Sequence, residues 1–66
     1  MLFTVRNIDK KTNLYFDAQT PYDAMKKLVY YLGLKDGEIQ KTDSNRFLYV
    51  IHNDNTYCTK MNEAGE

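Results

Sequence analysis

The alternation of apolar and polar positions changes period twice along the chain. Leu2 to Arg6, "LFTVR", alternates with period two, with Phe3 and Val5 on one face and Thr4 and Arg6 on the other. That is the signature of a half-buried strand. "NLYFD" alternates again, with Leu14 and Phe16 opposed to Tyr15 and Asp17. The polar "NIDKKT" between these runs predicts a hairpin connection.

The period then becomes helical. Thr20 is a suitable N-cap, Pro21 suits the first helical position, Asp23 places negative charge in the first turn, and Gly33 supplies a left-handed stop. At about 100° per residue, Ala24, Met25, Leu28 and Leu32 form an apolar stripe flanked by Val29 and Tyr31. Asp23, Lys26, Lys27 and Tyr30 fall on the opposite side. Tyr30 therefore reads either as a solvated ring along the lysine stems or as part of a small contact surface with Lys26 and Lys27.

Beyond the helix, "LKDGE" reads as a turn and "EIQKT" as a short polar edge strand. "RFLYVIH", Arg46 to His52, is apolar on both faces, as an interior strand covered twice would be. "TYCTKM" predicts a last strand. Three loops end in asparagine just before a strand resumes, at Asn13, Asn45 and Asn55. Each is expected to close a hairpin in the left-handed region, which asparagine tolerates well.

The expected fold is a single small α+β domain over residues 1–61, an antiparallel sheet with one helix packed on one face. The element order is β-β-α-β-β-β, and residues 62–66 form a frayed tail.

One helix covers one face. Phe3, Val5, Leu14, Phe16, Leu48, Val50 and Cys58 are assigned to the covered side. Alternation then sends Tyr15, Phe47, Tyr49, Ile51 and Tyr57 to the other. A one-residue slip in any strand would exchange its two sets. Aromatic residues make up 14% of the chain, so this second face is the main candidate for function. Three readings are open: a solvated aromatic face, a surface docking a second copy or another protein, and a stacking platform for single-stranded nucleic acid.

Charge narrows these. The chain of 66 residues carries nine Lys plus Arg and nine Asp plus Glu, which disfavours nucleic acid and also disfavours mimicry of it. So short a chain buries only about 60% of its unfolded surface. With one cysteine and no Cys/His cluster, neither a disulfide nor a structural metal is expected to supplement the core. Arg6 interrupts any leader-like apolar run and no membrane-length segment follows, so a cytoplasmic protein without membrane contact is expected.

Candidate chemistry is sparse. His52 and Cys58 flank the last hairpin loop, but nothing supplies an orienting acid or an oxyanion hole. "NDN" at Asn53 to Asn55 resembles part of a calcium loop without its glycine or distal glutamate. Phosphate-binding and dinucleotide signatures are lacking. The expectation is a non-enzyme with no catalytic residue, metal, cofactor or small-molecule substrate.

"YFDAQTPYDAMKKLVYYLGL" together with "FLYVIHNDNTY" resembles small uncharacterised proteins carried by phages and mobile elements of Gram-positive bacteria. The resemblance implies action by binding, in some cases inhibition of a host defence system such as a CRISPR nuclease. The expected function is a protein-binding module using Tyr15, Phe47, Tyr49, Ile51 and Tyr57, with Tyr30, Lys26 and Lys27 as a second contact. The alternatives are a homodimer of structural role and a single-stranded nucleic-acid binder.

Overall fold

The computed structural model describes residues 1–61; the expected tail, residues 62–66, lies outside the described residues. The expected α+β order is present. β1 (Leu2–Asn7) and β2 (Thr12–Asp17) form a hairpin, and α1 (Pro21–Leu32) follows. A 3-10 turn (Asp36–Glu38) leads to β3 (Gln40–Lys41), β4 (Phe47–His52) and β5 (Asn55–Lys60). All strand pairs are antiparallel, in the order β2-β1-β5-β4-β3.

The helix joins the two edges of the sheet, so it has to cross the face between them. Its ends are formed as the sequence predicts. The Thr20 hydroxyl accepts a hydrogen bond from the Asp23 N–H at 3.1 Å. Gly33 sits at φ 80°, and the Leu34 N–H returns to the Val29 carbonyl at 2.7 Å, a Schellman-type closure. Ala24, Met25, Leu28 and Val29 are buried against Phe3, Val5, Leu48 and Val50. Leu14 and Phe16 close the side of the core nearest β2.

Three expectations need correction. "EIQKT" forms a strand only at Gln40–Lys41, because Asp36–Glu38 takes up the preceding residues as a 3-10 turn. In the first hairpin the left-handed residue is Lys11, at φ 58°, and not Asn13. Asn7 organises that loop, its side-chain oxygen accepting from the N–H groups of Asp9 and Lys10. This is an Asx turn closed by whichever residue falls at its end.

The third correction reaches the functional face. The last loop has two residues, with His52 paired to Asn55 and both Asn53 (φ 50°) and Asp54 (φ 63°) left-handed. This is the type I′ geometry that matches the twist of the flanking strands. Asn55 is therefore already in the strand. The register sets Val50 opposite Tyr57 and Tyr49 opposite Cys58. Tyr57 packs on the core and Cys58 takes the outer position, the reverse of the expectation. Asn45, at φ 58°, closes its loop as expected.

Candidate functional site: the uncovered sheet face

The registers determine what the outer face displays. One row crosses all five strands: Asn13, Arg6, Cys58, Tyr49, Gln40. Its ends are tied by hydrogen bonds. Arg6 Nη1 donates to Asn13 Oδ1 at 3.0 Å, and the Tyr49 hydroxyl donates to Gln40 Oε1 at 3.3 Å. On one side of this row lie Tyr15 opposite Thr4 and Phe47 opposite Lys60; on the other lies Ile51 opposite Thr56. Tyr15 and Ile51 are more than half exposed, as is Leu2 at the N-terminal end of β1. Phe47 and Tyr49 are half-buried by their neighbours. Strand alternation thus brings Tyr15, Phe47, Tyr49 and Ile51 to one face.

A recess interrupts this face. β1 and β5 are paired only at Arg6–Cys58 and Asn7–Tyr57, with one further bond from the Ile8 N–H to the Thr56 carbonyl. Beyond Arg6 the strands part. The Thr59 hydroxyl, itself buried, spans the gap by donating to the Thr4 carbonyl at 2.8 Å. The opening, about 360 Å³, is lined by Leu2, Thr4, Arg6, Phe47, Cys58 and Lys60 among others. Its walls are mainly apolar and include two cations, Arg6 and Lys60.

Burial pushes the Cys58 thiol above the ordinary cysteine range, and the nearby Arg6 charge works in the opposite direction. His52 alternates with Tyr49 and Ile51 along β4, so it lies on the helix side of the sheet. Cys58 and His52 therefore occupy opposite faces and cannot form a dyad. Among the described residues no three His, Cys, Asp or Glu side chains come together as a metal site.

The remaining expected contacts separate. Tyr30 is 87% exposed, but neither lysine supports it. The Lys26 ammonium lies 5.8 Å from the Tyr22 ring centroid, within cation–π range. The Lys27 ammonium donates to the Asp17 carbonyl. A second concavity of about 430 Å³ opens on the helix side between Tyr22, Ile39, Leu48 and Met61. It is large enough for a small molecule, but its one helix-cap hydroxyl, on Thr20, already serves Asp23.

Leu2, Arg6 and Cys58 belong to the outer face although the sequence reading did not place them in the site. Leu2 and Arg6 follow from the alternation in β1. Cys58 depends on the length of the last loop. No helix among the described residues is long and apolar enough to cross a membrane. No protein-family model, curated protein or solved structure matches the chain.

Proposed function

We propose that the chain is a non-enzymatic module that acts in the cytoplasm by binding a protein partner through its outer sheet face. The observation that carries this reading is the exposure of Tyr15 and Leu2 beside a recess lined in part by Phe47, with Ile51 exposed farther along the same face. Tyrosine and phenylalanine supply large contact areas at low entropic cost, and centres of interfaces favour them. Arg6 and Lys60 at the recess suit a partner that inserts an apolar side chain flanked by an acidic group. The resemblance to proteins of phages and mobile elements supports a bacterial host protein as the partner, with defence nucleases as the first class to try.

The experiment is capture from a Gram-positive bacterial lysate with the wild-type chain, Ile51→Asp and Tyr30→Ser. Ile51 and Tyr30 are both exposed, so neither change should unfold the domain. A protein retained by wild type and Tyr30→Ser but lost with Ile51→Asp is the expected result. Retention unaffected by Ile51→Asp contradicts the reading. Capture of short single strands, lost steeply as salt rises, would replace protein by nucleic acid as the partner.

A further inference from the structure

The two edges of the sheet are built differently. β3 is only two residues long and ends the sheet abruptly, a common way of protecting an edge. β2 runs for six residues in unbroken register with β1. It contains no proline and no bulge, so nothing of that kind blunts it.

The phase of the β1–β2 ladder fixes which backbone groups face outward. The Ala18 N–H bonds the Met1 carbonyl at 2.8 Å, so the hydrogen-bonded pairs are those that continue from it in steps of two. Phe16, Leu14 and Thr12 then turn their N–H and C=O toward β1, and Asn13, Tyr15 and Asp17 turn theirs away. The Lys27 ammonium on the Asp17 carbonyl agrees with this phase and occupies that end of the edge. At Asn13 and Tyr15 nothing among the described residues bonds the outward groups.

We propose that β2 pairs antiparallel with β2 of a second copy about a two-fold axis, joining two five-stranded sheets into one. The strand is complementary to itself in one register. With the axis at Leu14, Asn13 of each copy faces Tyr15 of the other, and their N–H and C=O groups close a reciprocal set of backbone bonds. The same register brings Lys11, the turn residue just before β2, toward Asp17 of the other copy, whose carboxylate also accepts from its own N-terminal ammonium, and unlike charges so placed favour the pairing. An axis at Tyr15 would instead set Asp17 opposite Asn13 and lose the charge match.

Side chains on both faces suit the same axis. On the outer face Tyr15 is 58% exposed, and its hydroxyl lies 3.5 Å from Asn13 Nδ2. On the helix face the half-buried Leu14 meets its copy. Nearby, Tyr31 is 68% exposed and stands edge-on to Phe16, with ring centroids 6.5 Å apart. The pairing leaves the outer face open and doubles it, so it is independent of the partner proposed above.

The test uses the whole chain made by chemical synthesis, with and without a methyl group on the Tyr15 amide nitrogen. Sedimentation equilibrium from micromolar to millimolar chain reads the dimer. The methyl group removes an outward donor on each copy and leaves the Tyr15 side chain in place. Wild type should dimerise, and the methylated chain should have a Kd raised at least about tenfold with an unchanged circular dichroism spectrum. A strict monomer, or a dimer indifferent to the methyl group, overturns the proposal.

Charge variants test the register. Lys11→Asp and Asp17→Lys should each associate more weakly than wild type, and their equimolar mixture should recover a heterodimer. A mixture no tighter than either variant alone overturns it. Ile51→Asp should leave the dimer intact, whereas loss of the dimer would move self-association to the outer face and sink the edge pairing.

Discussion

Val50→Ala and Ile51→Ala test the strand phase on which the whole outer face depends. These neighbours on β4 differ completely in environment: Val50 is fully buried and Ile51 is 57% exposed. Val50 belongs to the cluster of Val5, Met25, Leu28, Val29 and Leu48. Truncating it removes two methyl groups at about 0.8 kcal/mol each, and the cavity left among these residues raises the cost to about 2–3 kcal/mol. Ile51→Ala removes more carbon, but most of it is already wet, so its cost should stay below about 1 kcal/mol. Total stability for a chain of this length is about 3–10 kcal/mol. Val50→Ala should therefore consume a large fraction of it and lower Tm by roughly 8–24 °C. Urea unfolding followed by circular dichroism reads both variants, with an unchanged slope expected for a pure stability effect. If Ile51→Ala costs as much as Val50→Ala, the strand is inverted and the outer face has been misassigned.

Three further outcomes follow from particular contacts. The N-terminal ammonium donates to Asp17 at 2.9 Å; this bond and its charge lower the Asp17 pKa, and Lys27 adds to the effect. A depressed carboxylate stabilises the fold above the ordinary carboxylate range and loses that contribution as pH falls through the folded pKa. Asp17→Asn should thus flatten the acid limb of the stability profile, and an unchanged limb would show that the bond does not act in solution. Because the raised Cys58 pKa comes from burial opposed by Arg6, alkylation of the folded thiol should reach half its maximal rate at higher pH than in the unfolded chain. Arg6→Ala should move that midpoint up again, and a downward move would contradict the assigned causes. Gly33→Ala adds a Cβ that meets nothing within 4 Å, so its cost is conformational, about 1 kcal/mol at φ 80°; a neutral result in urea would remove the left-handed stop from the account.

The parts of this fold visible in the sequence are those specified locally. Thr20, Pro21 and Gly33 punctuate α1 by their own chemistry, and alternation within "FLYVIH" assigns Leu48 and Val50 to one face of β4 without reference to any other strand. The parts that were hidden depend on one residue more or less in a loop. Asn53, Asp54 and Asn55 all suit a turn, so a two-residue and a three-residue loop look alike in sequence. The choice between them exchanges Tyr57 with Cys58. Likewise, Lys11 takes the left-handed position because the Asn7 side chain bonds the amides of Asp9 and Lys10; its own preference does not put it there. The recess between β1 and β5 is a tertiary feature, since it arises where two hairpins meet over only part of their length.

The two proposed surfaces divide the molecule sensibly. The outer face offers apolar and aromatic side chains, while the β2 edge offers backbone groups and a charge pair at its ends. A dimer through the edge would present two outer faces on one continuous sheet. Binding to a partner with two sites would then gain from effective concentration without any new contact.

The most direct test of the central claim is site-specific photo-crosslinking in bacterial cells, with a photoreactive phenylalanine analogue at position 51 or at position 30. Both side chains point into solvent, but only position 51 lies on the outer sheet face. A discrete protein adduct is expected from position 51 and none of that mass from position 30. Adducts of equal yield from both positions, or from position 30 alone, would contradict binding through the outer face.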